Sequence, residues 1–201
     1  MFKIGLCGGS GSGKGAVSAF FVERGYFAID TDKICHQLFS SRCECTENLR
    51  EEFGDGIFDT CGSVNRKKLG EIVFSDKSKL QRLNEISHYH ILAAVRKLIS
   101  SLEQEEKFRG VLIDAPLLFE SKFDSECDCI VAVIAEEKNR MARIIERDNI
   151  SADRALARIK NQTTDESLIP KTDFVIENNG TFDDLRINTF RVIDEIENKY
   201  M

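Results

Sequence analysis

A glycine-rich stretch near the N-terminus constrains the fold of this chain more than any other feature. Residues 8–15 read GGSGSGKG, and an apolar run at residues 2–7 precedes them. A helical pattern of apolar residues begins at Ala16. The spacing from Gly8 through Gly13 to Lys14 matches the loops that bind nucleotide phosphates between a strand and a helix. The sequence therefore predicts a strand, a phosphate-binding loop and a helix in that order.

The chemistry of such a loop depends on backbone N–H groups. Glycines let several N–H groups point at one anion, and the helix start adds free N–H groups and a positive dipole end. Lys14 can then reach the outer phosphates. We expect a nucleoside triphosphate to contact Gly9, Gly11, Ser12, Gly13, Lys14, Gly15 and Ala16. One position departs from the pattern, because the Ser or Thr that normally holds Mg²⁺ after the lysine is here Gly15.

Composition narrows the class of protein. With 201 residues, 42% of them hydrophobic and 31% charged, the chain fits one compact α/β domain. A net charge of −6 argues against a broad basic face for nucleic acid. The sequence has no apolar run long enough to cross a bilayer and no basic leader. We therefore expect a cytoplasmic protein, a monomer or weak oligomer, that binds neither nucleic acid nor membranes.

The cysteines point to a reducing compartment. There are seven, an odd number, which favours free thiols over a disulfide framework. Cys43 and Cys45 form one close pair, and Cys127 and Cys129 form another. One residue separates each pair, whereas zinc ligands are usually separated by two to four. The spacing thus favours free thiols over zinc, and a metal at these pairs stays open.

Apolar runs predict four further strands at residues 26–30, 111–114, 129–134 and 173–176. Helical patterns separate them, so we expect a three-layer α/β fold with a five-stranded parallel sheet flanked by helices. Ligands bind at the carboxyl ends of parallel strands. Acids end two of these runs, and we expect them on the same edge of the sheet as the glycine loop.

The acids after the second run are Asp30 and Asp32. A carboxylate there could orient or deprotonate an attacking hydroxyl, or it could cap a helix that begins near Lys33. We assign the catalytic role to Asp32 and a structural one to Asp30. Asp114 ends the third apolar run. In proteins with a phosphate-binding loop of this type, an acid at this strand end holds Mg²⁺ directly or through water. Asp32 and Asp114 are the predicted metal ligands.

Two helical regions interrupt the sheet pattern. Residues 33–106 contain no strand signal and exceed an ordinary crossover, so we expect a helical region that receives the acceptor substrate. Ser75 is the predicted N-cap of a long helix there.

Residues 138–165 carry Arg140, Arg143 and Arg147 on one helix face, before a second helix capped by Ser151. This pattern predicts a lid over phosphates, although a salt-bridged surface helix is the alternative.

The order and spacing of these motifs resemble the dephospho-coenzyme A kinase family over nearly the full length. The matching segments are residues 5–14, residues 29–32 with His36 and Leu38, residues 83–88, 114–120 and 143–148, residues 157–159 with Gln162, and residues 173–180. The resemblance implies a single P-loop kinase domain over residues 1–201 and a sheet like that of nucleoside monophosphate kinases. It also implies Mg²⁺ and transfer of the ATP γ-phosphoryl group to the ribose 3′-hydroxyl of dephospho-coenzyme A.

The resemblance also assigns residues. Asp32, Lys14 and Arg143 match catalytic positions, and Asp32 and His88 match the acceptor site. Arg143 and Arg147 match lid arginines near the ATP phosphates, while Asn178 and Gly180 match the segment near the adenine. The sequence departs from the family at Gly15 and at Tyr89, where the family usually has proline.

Two rival functions stay open at this point. One is a kinase for another small hydroxylated metabolite, and the other is a nucleotide-binding protein with weak or no kinase activity. Gly15 supports the second, because Mg²⁺ loses one direct ligand.

Overall fold

The computed structural model describes residues 1–201 and contains a five-stranded sheet. The strands are β1 (Phe2–Cys7), β2 (Phe27–Asp30), β3 (Gly110–Asp114), β4 (Cys129–Ile134) and β5 (Phe174–Glu177). Their order across the sheet is β2-β3-β1-β4-β5, and β1 runs parallel to both β3 and β4. β4 and β5 are also parallel. The predicted five-stranded parallel sheet flanked by helices is confirmed, with strand bounds within one residue of those expected.

Nine α-helices accompany the sheet. They are α1 (Lys14–Glu23), α2 (Thr31–Ser40), α3 (Glu44–Phe53), α4 (Arg66–Val73), α5 (Lys77–Glu103), α6 (Glu137–Asp148), α7 (Ala152–Lys160), α8 (Asp165–Leu168) and α9 (Phe182–Tyr200). Single 3₁₀ turns lie at Asp55–Ile57, Phe123–Glu126 and Ile169–Lys171. None of the helices combines the length and the apolar character that a membrane span requires.

The chain divides into two compact units. Residues 1–29 and 105–201 form the first, which we call the sheet unit, and residues 30–104 form the second, which we call the helical unit. Helices α2 to α5 belong to the helical unit, and α1 with α6 to α9 belong to the sheet unit.

The core of the sheet unit lies between the strands and the helices α1 and α9. β1 and β4 are buried along most of their length, so they read as continuous apolar runs instead of alternating ones. The apolar face of α1 carries Val17, Phe20 and Phe21, and it packs in one cluster with Leu185 and Ile193 of α9. Each such side chain contributes about 1.5–3 kcal/mol by leaving water. This packing holds α1 firmly at the end of the glycine loop.

The helical unit is organised around α5, which is 27 residues long and contacts α2, α3 and α4. Its core cluster includes Phe39, Leu49, Leu69 and Ile86. Tyr89 is 66% exposed in the middle of α5, and the helix continues through it. Proline at that position would remove a helical hydrogen bond and kink the helix, so its replacement by tyrosine fits the uninterrupted α5.

The N-caps of α2 and α5 test the predicted capping roles of Asp30 and Ser75. Asp30 caps α2 by accepting a hydrogen bond from Lys33 N at 3.0 Å, and the helix begins at Thr31. The prediction for Ser75 is wrong, because α5 begins one residue later and Asp76 is its N-cap. The Asp76 carboxylate accepts from the backbone N of Ser78 at 2.9 Å and of Lys79 at 3.4 Å.

Ser75 contacts α4 instead of α5. Its hydroxyl donates to Ile72 O at 3.0 Å and so belongs to the end of α4. Adjacent Ser and Asp are both good caps, and the sequence alone did not separate them.

We expect Asp76→Ala to lower the free energy of unfolding by about 1 kcal/mol, because two N–H groups of α5 lose their acceptor. Ser75→Ala is the matched control and should change it by less than about 0.5 kcal/mol. Urea unfolding followed by circular dichroism measures both. Equal losses from the two variants would contradict this assignment of the cap.

Candidate nucleotide-binding site

The glycine loop connects β1 to α1, as the sequence predicts. Gly13 is the N-cap of α1 and has a left-handed backbone with φ of 106°. An ideal Cβ on Gly13 would stand 2.1 Å from Asn178 Nδ2, so the residue must be glycine both for its φ and for the close neighbour. The N–H groups of Lys14 and Gly15 begin the helix and have no acceptor within it. They form the kind of helix start that binds phosphate oxygens.

Side chains from elsewhere in the sheet unit hold three successive carbonyl oxygens of this loop. Arg140 Nε donates to Ser10 O at 3.0 Å, Arg143 Nη1 to Gly11 O at 3.2 Å, and Asn178 Nδ2 to Ser12 O at 2.7 Å. A peptide plane carries its C=O and N–H on opposite edges. Fixing three carbonyls therefore also fixes the directions of the N–H groups that follow them. The loop is held in one shape before any phosphate arrives.

Arg143 is tied to Asn178 as well as to the loop. Its Nη2 donates to Asn178 O at 3.0 Å and to Asn178 Oδ1 at 3.1 Å. Asn178 is buried, with 6% of its surface exposed. Both residues thus lie against the loop. Their contacts are with its carbonyls, and their roles towards ATP phosphates and adenine stay predictions.

Arg147 makes different contacts from Arg143. Its guanidinium donates to both carboxylate oxygens of Asp148, at 2.7 and 3.0 Å, and Arg158 pairs with the same carboxylate. Hydrogen bonds from Arg147, and then from Arg158, lower the pKa of Asp148 to about 2. Of the three aligned arginines, α6 thus brings Arg140 and Arg143 to the loop and leaves Arg147 in a surface ion pair. The salt-bridged surface thus describes Arg147 and Arg158, and a lid over phosphates stays a prediction.

Lys14 and Asp114 lie beside each other at the loop. Lys14 Nζ donates to Gly8 O at 3.1 Å and stands 4.0 Å from Asp114 Oδ1. β1 and β3 pair in parallel with Leu6 opposite Asp114, so the sheet register puts this carboxylate next to the end of β1. The sequence predicted both residues at this edge, and the structure brings them together.

Gly15 has open space around it. An ideal Cβ built there meets nothing within 4 Å, in contrast to Gly13. No steric conflict in the protein therefore requires glycine at the position after the lysine. The missing hydroxyl is a property of this sequence that a single substitution can restore.

The remaining predicted residues are Gly180, Asp32 and His88. Gly180 precedes α9, where an ideal Cβ would stand 2.6 Å from Asp184 Oδ2. In the helical unit, Asp32 is exposed in the first turn of α2, and His88 is half-buried on α5.

All seven cysteines are free thiols, and no group of three or more His, Cys, Asp or Glu side chains stands close enough to hold a metal. Burial raises the pKa of Cys7 to about 12. Burial likewise raises the pKa of Cys127 and of Cys129 to about 12. These thiols are protonated near neutral pH and are poor metal ligands in that form.

Sequence reasoning missed two loop contacts. Arg140 was noted only as part of an arginine face, yet it is buried behind the loop with 6% of its surface exposed. Gln162 entered only through the family resemblance, yet its side chain bonds Ser10. The shared helix face of Arg140 and Arg143 was an available signal, but nothing in the local sequence marked Gln162.

Comparison with known proteins assigns the family. The model of the dephospho-CoA kinase family matches residues 2–184. The chain belongs to the dephospho-CoA kinase family. A dephospho-CoA kinase of Fusobacterium nucleatum is 41% identical over 90% of this chain and 92% of its own length. One of Carboxydothermus hydrogenoformans is 35% identical over 96% of this chain and 93% of its own.

Solved structures agree in fold. A Thermus thermophilus protein superimposes with a TM-score of 0.79 at 27% identity and covers 97% of both chains. A dephospho-CoA kinase from Campylobacter jejuni gives 0.71 at 27% identity, covering 99% of this chain and 98% of its own. Shikimate kinase from Acinetobacter baumannii, at 14% identity and a TM-score of 0.55, shares the fold, covering 100% of this chain and 96% of its own.

We expect Gly13→Ala to weaken ATP binding by about tenfold or more, because left-handed backbone costs a non-glycine residue about 1–2 kcal/mol and the new methyl group collides with Asn178. Gly15→Ala is the matched control, since its Cβ has open space, and it should change the dissociation constant less than about threefold. Isothermal titration with a non-hydrolysable ATP analogue measures both. Similar effects at the two positions would contradict the geometry.

Proposed function

We propose that this chain transfers the γ-phosphoryl group of ATP to the ribose 3′-hydroxyl of dephospho-coenzyme A, giving coenzyme A and ADP. This reaction is the last step of coenzyme A synthesis. The family match over residues 2–184 carries the proposal. The preset phosphate loop supports it, because phosphoryl transfer depends mainly on positioning and on charge stabilisation.

The phosphate loop supplies the ATP-binding part of the mechanism. N–H groups at the start of α1, including those of Lys14 and Gly15, bind phosphate oxygens. Lys14 leaves Gly8 O and neutralises charge that develops on the transferred group. Arg143 uses Nη1 and Nη2 on the loop and on Asn178, and a guanidinium has five N–H donors. Its remaining donors are available to a phosphate oxygen in this proposal.

Arg147 requires a change of partner to act on ATP. In the structure its guanidinium is paired with Asp148, and its side chain is 62% exposed. Exposed ion pairs contribute little, about 0–1 kcal/mol, so a triphosphate can compete for this arginine. We propose that residues 138–165 act as a lid in which Arg143 is anchored and Arg147 is exchangeable.

The acceptor side of the mechanism rests on the helical unit. We propose that residues 33–106 receive dephospho-coenzyme A, that His88 contributes to its binding, and that Asp32 orients or deprotonates the 3′-hydroxyl. Its exposed position in the first turn of α2 supports this role, since an attacking hydroxyl needs access to the carboxylate. All of this takes place within one kinase domain over residues 1–201.

Mg²⁺ fits the carboxylate chemistry of the sheet unit. Protein sites for Mg²⁺ with nucleotides typically use one or two carboxylates, with phosphates and water completing the shell, so no cluster of three protein ligands is needed. Asp114 Oδ1 is buried and 4.0 Å from Lys14, a position suited to such a ligand. Mg²⁺, when bound, would neutralise phosphate charge. Asp32 is the second proposed ligand, and Gly15 offers no hydroxyl to either metal or water.

We further propose that the protein acts in the cytoplasm as a monomer or weak oligomer, with ATP and dephospho-coenzyme A as its partners and without nucleic acid or membrane. The seven free thiols support a reducing compartment.

A second candidate function is suggested by Gly15. A nucleotide-binding protein with weak or no kinase activity would tolerate loss of the Mg²⁺-binding hydroxyl. A kinase for another metabolite would keep the loop and differ in the helical unit. Family membership favours dephospho-coenzyme A, and a panel of hydroxylated acceptors separates the two kinases.

The purified protein with ATP, Mg²⁺ and dephospho-coenzyme A should produce coenzyme A and ADP in a coupled assay. Asp32→Asn should lower kcat by about 10²–10⁴-fold, because the amide cannot take the hydroxyl proton. Asp30→Asn is the matched control, since asparagine caps a helix as well as aspartate does, and it should keep near-normal turnover. Full turnover by Asp32→Asn would remove Asp32 from the mechanism.

We expect Gly15→Ser to lower the Mg²⁺ concentration that gives half-maximal rate, by about threefold to tenfold, because a direct ligand contributes on the order of 1 kcal/mol. Gly15→Ala controls for the gain in helix propensity without a hydroxyl, and its Mg²⁺ dependence should match that of the unmodified chain. Titrating Mg²⁺ in the coupled assay gives both values. Identical curves for serine and alanine would show that the missing hydroxyl has no effect.

A further inference from the structure

Ser10, near the middle of the phosphate loop, has every polar atom engaged by two side chains. Its N donates to Gln162 Oε1 at 2.8 Å, and its Oγ accepts from Gln162 Nε2 at 2.8 Å. Its carbonyl oxygen accepts from Arg140 Nε at 3.0 Å. Arg140 Nη2 donates to the same Gln162 Oε1 at 3.0 Å, so the two side chains also fix each other. Three atoms of Ser10, its N, O and Oγ, are thus hydrogen-bonded to these two side chains.

These contacts connect the loop to the helix pair α6 and α7. Arg140 belongs to α6, and Gln162 follows the last residue of α7 by two positions. The two helices pack through a small cluster of their own, which contains Ile144, Ala155 and Ile159. The end of α7 therefore reaches Ser10 through one amide side chain.

Arg140 lies buried behind the loop and contacts several protein groups there. An ideal Cβ on Gly9 would stand 2.0 Å from Arg140 Nη2, so the guanidinium occupies the space that a larger residue would need. Arg140 Nη1 faces Asp165 Oδ1 at 3.6 Å, at the start of α8. Burial raises the pKa of the Asp165 carboxyl, and the charge of Arg140 opposes that rise. Each nitrogen of the guanidinium thus faces a protein oxygen, and Arg140 is buried with 6% of its surface exposed, so its contacts here are with the protein.

We propose that Gln162 and Arg140 are positioning residues for ATP, which hold Ser10 so that the phosphate loop is preset and which tie ATP affinity to the docking of the end of α7. The inference rests on the proposed function for the identity of the nucleotide. Neither residue touches the reacting atoms. Without them, the Ser10 peptide can rotate, and ATP binding has to order it at a cost in affinity.

The predicted effect is specific to one substrate. Gln162→Met keeps the length of the side chain but removes both hydrogen bonds to Ser10 and one acceptor of Arg140. Loss of two such bonds corresponds to about ten- to thirtyfold weaker ATP binding. The KM for dephospho-coenzyme A should stay within about twofold, because the helical unit proposed to bind it is unchanged. Ser10→Ala removes a single bond and should weaken ATP binding about threefold to fivefold.

The experiment measures binding of a fluorescent ATP analogue together with both KM values in the coupled assay. The variants are Gln162→Met, Ser10→Ala and the double variant, with Asn161→Met as the matched control for loss of a neighbouring exposed amide. We expect Asn161→Met to bind normally. The double variant should be no weaker than Gln162→Met alone, since the hydroxyl bond is already lost, and this non-additivity is a readout that a general loss of stability would not produce.

Three outcomes would overturn the inference. They are unchanged ATP binding in Gln162→Met, equal rises of both KM values, or strictly additive effects of the two substitutions. Arg140→Lys gives an independent test, because lysine keeps the charge but cannot hydrogen-bond Ser10 and Gln162 while facing Asp165, and it should weaken ATP binding about tenfold or more. Binding is measured without the acceptor, so a failure to make coenzyme A would contradict the proposed function while leaving this inference tested on its own.

Discussion

Side-chain hydrogen bonds to the carbonyl oxygens of the glycine loop are the interactions on which the site depends. Glycine gives the loop its curvature but also a large conformational entropy, and a loop free to move would bind phosphate poorly. Arg140, Arg143 and Asn178 remove that freedom by holding three carbonyls in succession. They come from α6 and from the end of β5, so the sheet unit as a whole shapes the loop. The shape of the anion site therefore depends on tertiary contacts as well as on the local sequence of the loop.

The sheet that carries this loop could be predicted from the apolar runs in the sequence. Buried parallel strands appear as continuous apolar runs, and the five predicted strands lie within one residue of the observed ones. The register of β1 with β3 then sets Asp114 beside Lys14. Such features are predictable because each depends on nearby residues or on a repeating pattern. The cap of α5 was not, since Ser75 and Asp76 have similar preferences and only the hydrogen bonds in the fold identify Asp76 as the cap.

Hydrogen bonds between residues far apart in the sequence could not be predicted. Gln162 and Ser10 are 152 positions apart, and Asn178 and Ser12 are 166 apart, so no local pattern joins them. Charge patterning identified the arginines of α6 as one face, yet only the fold shows that two of them serve the loop's carbonyls while Arg147 pairs with Asp148. The sequence thus identified the chemical groups of the site more completely than their contacts. The sequence showed that Gly15 replaces the usual Ser or Thr, but only the structure shows the open space around it.

The state of the cysteines has a consequence for the chemistry around the enzyme. Dephospho-coenzyme A ends in a thiol, and thiols exchange with protein disulfides or oxidised cysteines through the thiolate form. Burial keeps Cys7, Cys127 and Cys129 protonated, with pKa values raised to about 12. Cys61 alone is exposed. Burial therefore leaves Cys7, Cys127 and Cys129 with little tendency to become covalently joined to a thiol-bearing substrate, and the exposed Cys61 is the thiol most accessible to such exchange.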